Sequence, residues 1–207
     1  MIPKIAIIFI GVAFVLACGG ISTSQPIILD RLVLDEQSVP TGFHLVGQEQ
    51  MSNDRAAQAF PQADYEAWGR IDGIRVEFGT PTGMFFSTIS EYQSEEGARN
   101  GLNHLRQEMK NAAIRGLEAA GFMETAFEDL EDPDLGDESF AWFSKSIGPT
   151  ITTKNLLTSF RQDNLVGVIR WESTTNEIEA DVTIDIAEQQ ILRGIAEKQL
   201  DLILNSR

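Results

Sequence analysis

The clearest pattern in the chain is an alternation: Ile74, Val76 and Phe78 alternate with Arg75 and Glu77. A period of two predicts a strand with one buried face. Residues 84–92, rich in aromatic and β-branched side chains, follow across Gly79-Thr80-Pro81-Thr82-Gly83. The two runs read as a hairpin with a long loop. The period then lengthens. Ala98, Leu102, Leu105, Met109 and Ala112 recur at helical spacing behind Ser94, Glu95 and Glu96, and Gly121 ends the region. Ser94 suits the N-cap, and the two acids suit the positive end of the helix dipole.

A second set repeats the order. Residues 140–146 form a strand candidate, and 156–160 and 165–171 flank Gln162-Asp163-Asn164, a turn signal between apolar runs. The last helix begins at Asp185 as N-cap, with Glu188 three residues on as in a capping box. Its buried stripe is Ile184, Ala187, Ile191, Ile195 and Leu202. Regularity is lower upstream. Apolar stretches in 27–46 are broken by Val39-Pro40-Thr41-Gly42-Phe43, a turn that drops Phe43 onto the core. Residues 47–63 are polar, with a short helix over 53–60 capped by Asn53 or Asp54.

Sequential hairpins imply an antiparallel sheet, and the helices that follow them must cover it. The expected fold is therefore α+β, a layered α/β sandwich forming a single domain over residues 27–207. This element order, over residues 27–205, resembles the sandwich of PsbP-type and Mog1-type proteins and of some actinobacterial lipoproteins. The resemblance implies a fold and no function.

The N-terminus differs in kind. Lys4 precedes an apolar run from Ile5 to Ala17, shorter than a membrane-spanning helix needs, and Cys18 follows. Val15-Leu16-Ala17-Cys18 resembles a bacterial lipobox, although Leu16 stands where a smaller residue is commoner. The resemblance implies cleavage before Cys18 and lipid on its thiol. Residues 1–17 are then a lipoprotein signal peptide, and 18–26 the lipidated cysteine and a flexible tether. The domain stands on the extracytoplasmic side of a cell membrane or outer membrane. Cys18 is the only cysteine, so no intramolecular disulfide supports the fold.

Charge narrows the partners. The 207 residues carry 16 Lys and Arg against 31 Asp and Glu, a net charge of −15. Losing Lys4 with the signal peptide leaves 15 cations against 31 acids, or −16. Such a surface repels nucleic acid and anionic lipid alike, which leaves the lipid on Cys18 as the membrane contact.

Candidate chemistry is sparse. No Gly-x-Ser-x-Gly, Ser-x-x-Lys, His-Glu-x-x-His, dinucleotide or Walker motif is present, and no cofactor is expected. The two histidines, His44 in a turn region and His104 between Leu102 and Leu105, read as partly exposed polar residues. The acidic run 128–138 departs from an EF-hand, having Gly136 where an acid is required. Asp132, Asp134 and Asp137 are its weak calcium candidates, and a solvated loop is the plainer reading. Trp68-Gly69-Arg70-Ile71-Asp72-Gly73 allows two arrangements: Trp68 and Arg70 lining a pocket with Arg70 holding an anion, or a turn with Arg70 paired to an acid. The leading function is a membrane-anchored, non-enzymatic binding or accessory domain. An envelope hydrolase using His44 or His104, and a calcium-responsive domain, are the rivals.

Overall fold

The computed structural model describes residues 28–80, 82–119, 121, 122, 124–175 and 185–206. The expected signal peptide (1–17), Cys18 and the expected tether lie outside them, as does Ile184. The described residues form an α+β fold built on one antiparallel sheet of seven strands. These are β1 (His44–Gln50), β2 (Arg70–Thr80), β3 (Gly83–Tyr92), β4 (Glu124–Asp129), β5 (Glu138–Ile147), β6 (Thr152–Gln162) and β7 (Leu165–Thr175). Their order across the sheet is β1-β2-β3-β7-β6-β5-β4. The strands leading into the two long helices, β3 and β7, thus meet at the centre, with Phe85 opposite Trp171.

Among the described residues three α-helices accompany the sheet: α1 (Asn53–Ala59), α2 (Glu95–Ala119) and α3 (Ile186–Asn205). Ser94 Oγ accepts from Gly97 N at 3.1 Å, and Asp185 Oδ1 from Ala187 N at 2.8 Å, so both expected caps form. Helix α1 is capped one residue earlier than expected, by Ser52, whose Oγ accepts from Arg55 N at 3.3 Å. The Asp163-Asn164 turn closes the β6–β7 hairpin, with Asp163 at a φ of 52°.

Two strands were not anticipated, and both lie at the edges. β1 and β4 read as polar and acidic segments because most of their side chains face water. Backbone pairing to β2 and β5 makes them strands.

The pleat sends alternate residues to opposite faces, and each face has its own core. On one face, Val76, Phe85, Leu156, Leu165 and Ile169 pack with Leu192, Ile195 and Ile203 of α3 and with Leu29, Leu32 and Leu34 of the N-terminal segment. Gln199 of α3 is fully buried there, donating to Leu32 O and accepting from Ser87 Oγ at 2.6 Å. Phe43 drops onto this core as expected, 5.6 Å from Trp171 and 6.0 Å from Phe85 between ring centroids. On the other face, Tyr92, Trp142, Leu157 and Val166 pack under Ala98 and Leu102 of α2. The two long helices therefore cover opposite faces. Of the residues of α2, only those in its first two turns are fully buried. Over β2 and β3 that face is roofed instead by residues 51–69.

Candidate functional site

The partial cover over β2, β3 and β7 leaves a cavity of about 200 Å³. Its floor is the α2-facing side of the sheet, with Arg75, Phe86, Thr88 and Ser90 among its residues. Its walls are Phe60, Tyr65 and Trp68 from the roof and His104, Leu105 and Met109 from α2. Trp68 lies 5.1 Å from the His104 ring and 6.0 Å from Tyr65, and Phe60 lies 6.4 Å from His104, so aromatic rings meet edge to face or tilted around the space.

Trp68 and Arg70 both line this cavity. Arg70, the first residue of β2, is 5% exposed. Its Nη1 donates to Asn53 Oδ1 at 2.8 Å, and Nε and Nη2 donate to Ser90 Oγ at 3.3 and 3.2 Å. Asn53 also donates its Nδ2 to Arg70 O at 3.0 Å, so α1 grips the residue at side chain and backbone. Tyr65 places its ring 5.3 Å from the guanidinium carbon. No carboxylate among the described residues lies within ion-pairing distance of Arg70, so the acid-paired arrangement does not form. Burial lowers the guanidinium's pKa, while Tyr92, Tyr65 and Asp72 act in the opposite direction. Asp72 itself accepts from Gln50 Nε2 at 2.6 Å and from Gly73 N at 2.8 Å.

Two glycines make room for this arrangement. A Cβ on Gly73 would overlap Arg70 Nη2 and come within 2.8 Å of Ile89 O. A Cβ on Gly101 of α2 would run into the Tyr92 hydroxyl. Tyr92 is 2% exposed, and burial holds its phenol well above the usual tyrosine pKa.

The cavity also gathers groups that pattern alone assigned to solvent. Arg75 and Arg170 both lie over the Phe86 ring, at 4.5 and 5.7 Å. Arg75 pairs with Glu77 at 2.7 Å, and Arg170 donates to Asn155 Oδ1 and Glu172. Yet Arg75 Nε and His104 Nε2 are buried atoms without a hydrogen-bond partner. His104, expected to be a partly exposed polar residue, is half-buried, and its ring forms part of the cavity wall beside Trp68 and Phe60. Burial lowers its pKa, Glu108 opposing, so the neutral form is favoured. Three arginines line the cavity and no Asp or Glu does, in a chain with nearly twice as many acids as bases.

The other candidates separate. His44 is exposed on β1. The hydrolase rival requires His44 or His104 to face a pocket with a serine and a carboxylate. Ser90 does line the same cavity as His104, but its Oγ accepts from Arg70. Asp132, Asp134 and Asp137 do not converge. Asp132 Oδ1 accepts from Asp134 N at 3.0 Å and from Ser139 Oγ, while Asp137 Oδ2 lies 2.9 Å from Arg161 Nη1. Among the described residues, no group of three or more His, Cys, Asp or Glu is placed to hold a metal ion. Two more open depressions, of about 270 and 370 Å³, border the acidic loop, and their charged residues are exposed or half-buried.

Fold and site together define the class: an antiparallel α+β domain with one partly roofed, aromatic and arginine-lined cavity on the α2 side of its sheet. No family model matches the chain, and no curated protein matches it. Among solved structures it is similar to the extracellular domain of PknH from Mycobacterium tuberculosis, at 12% identity and a TM-score of 0.49, over 86% of this chain and 98% of that one. It is also similar to an uncharacterized protein, an Rv0999 ortholog, from Mycobacterium smegmatis, at 8% identity and a TM-score of 0.46, over 86% and 97% of the two chains. No helix among the described residues is long and apolar enough to cross a membrane.

Proposed function

We propose that this chain is an exported, lipid-anchored domain that binds a small ligand in the cavity between residues 51–69, α2 and the sheet, without chemical conversion. The cavity carries the reading: concave, largely apolar space with a few convergent polar groups is the usual form of a small-molecule site. The anchor rests on Val15-Leu16-Ala17-Cys18 behind its apolar run, and it holds the binding domain at a membrane surface that its own charge would repel.

The cavity reading is tested with the neutral fluorescent probe N-phenyl-1-naphthylamine. The protein is expected to raise the probe's emission saturably. Thr88 is half-buried on the cavity floor, opposite Val168 of β7, and Thr88→Trp would fill that floor. It is expected to weaken probe binding at least tenfold at unchanged thermal midpoint. Undiminished binding by a folded Thr88→Trp variant would put the probe elsewhere and end the reading. The anchor has a separate measurement. A clickable fatty acid supplied to a lipoprotein-processing bacterial host should label the wild type and leave Cys18→Ser unlabelled. Equal labelling of the two refutes the anchor.

A further inference from the structure

We infer that the cavity selects a monoanionic organic acid, a carboxylate on a small aromatic or aliphatic body, and that Arg70 is the group that receives the carboxylate. The inference rests on the cavity being a binding site and adds the ligand's chemical class.

The first observation is an uncompensated buried charge. Burying an ion without an opposite charge is costly, and proteins retain such ions where a partner or ligand completes them. Arg70 is nineteen-twentieths buried, and its hydrogen-bond partners, Asn53 Oδ1 and Ser90 Oγ, are neutral. A guanidinium has five N–H donors. Three are committed, which leaves two for a ligand. Two N–H groups on one planar fork match the two oxygens of a carboxylate.

The second observation is independent of Arg70. Arg75 Nε and His104 Nε2 are buried at the same cavity and bond to nothing in the protein. Unsatisfied buried polar atoms are few in native proteins, and each calls for a partner. Arg75 lies on the floor and His104 on the α2 wall, so polar groups with unmet hydrogen-bonding capacity border the cavity on two sides.

Charge then sets the valence. Arg75 is paired with Glu77 and Glu49 and Arg170 with Glu172, whereas Arg70 has no carboxylate among the described residues within ion-pairing distance and feels Asp72 only from further off, so Arg70 is the one cavity arginine left without an ion-pair partner. One unpaired cation suits a monoanion and leaves half of a phosphate dianion's charge unmatched. Shape sets the body. About 200 Å³ is somewhat more than the ~150 Å³ cavity that takes up benzene in another protein. Phe60, Tyr65 and Trp68 offer ring faces and edges to an aryl group or short chain.

The test uses the protein expressed from its full chain, held in nanodiscs with empty discs as the blank. Three probes share one body and differ in head: 3-phenylpropionate, 3-phenylpropan-1-ol and 3-phenylpropylamine. Affinities are measured by calorimetry at pH 7. The wild type should bind the acid at least tenfold more tightly than the alcohol and should give no detectable heat with the amine. Arg70→Met should bring the acid-to-alcohol ratio close to one while keeping the alcohol's affinity. Arg70→Lys, which keeps the charge and loses the fork, should fall between. Should Arg70→Met fail to fold, the wild-type ratio and Arg70→Lys still decide. Equal affinity of the wild type for acid and alcohol overturns the inference and leaves cavity binding intact. A tenfold preference that survives in Arg70→Met overturns the role of Arg70. Binding of none of the three overturns it as well, and the naphthylamine result then says whether the cavity reading falls too.

Discussion

Phe85→Ala is expected to cost about 3–5 kcal/mol of folding stability, the range for emptying a buried phenylalanine site. Phe85 is fully buried at the centre of the sheet, where β3 meets β7. Its ring lies 5.8 Å from Phe78 and 6.0 Å from Phe43, at tilted and edge-on angles. It therefore sits between β2, β3 and the 39–43 turn, and its removal leaves a gap bordered by Phe78 and Phe43. For a domain of this length the loss corresponds to a fall in thermal midpoint of roughly 6–20 °C. Urea unfolding followed by tryptophan fluorescence measures it directly. A loss below about 1 kcal/mol would mean that the 39–43 turn collapses into the gap, and the description of this core as closely packed would be wrong.

The second large effect concerns charge. Arg161 of β6 is 4% exposed, with Asp137 at 2.9 Å and Glu138 at 3.1 Å. Glu138 also accepts from Arg99 Nε at 2.8 Å, which ties α2 to the end of the acidic loop. The double change Asp137→Asn, Glu138→Gln leaves Arg161 buried without a carboxylate. Breaking a buried pair in this way costs about 3–5 kcal/mol. The hydrogen bond from Arg99 is the main cause that lowers the Glu138 pKa below its ordinary 4.5. A carboxyl lowered on folding adds stability above its unfolded pKa and loses it as pH falls through the folded value. Wild-type stability should accordingly decline below about pH 4.5, and the double variant should lack that part of the decline. Denaturant midpoints from pH 7 down to pH 3 measure both features. Parallel acid limbs in the two proteins would exclude Glu138 from the effect.

Arg161 and Arg70 form an instructive pair. Both are arginines at strand ends, both are about 95% buried, and one has two carboxylates while the other has none. Sequence pattern does not separate them. Asp137 and Glu138 are acids two strands' length from Arg161 in the chain, and Asp72 is only two residues from Arg70. Residues i and i+2 of a regular strand share a face, but the register shifts between Arg70 and Asp72, an irregularity that breaks the alternation and that the spacing of the residues does not announce.

What the chain determined by itself was periodic. The hairpin at 74–92, the helix after Ser94, the second strand set and the helix after Asp185 are local matters, decided by the two-residue or helical spacing of apolar residues and by capping side chains. The density of Trp68-Gly69-Arg70-Ile71-Asp72-Gly73 was also visible, because a tryptophan and an arginine between glycines are rare neighbours. Only the tertiary structure decided the rest. It made strands of the polar edges β1 and β4, because backbone pairing does not depend on a buried face. It sent α2 and α3 to opposite faces, and it roofed part of one face with residues 51–69. That roof explains the missed residues: Arg75 and Arg170 occupy strand positions that alternation assigns to water, His104 sits on a half-buried flank of α2, and the covering segment comes from elsewhere in the chain. Periodicity reports which side of an element is polar; it carries no record of what the fold later lays over that side.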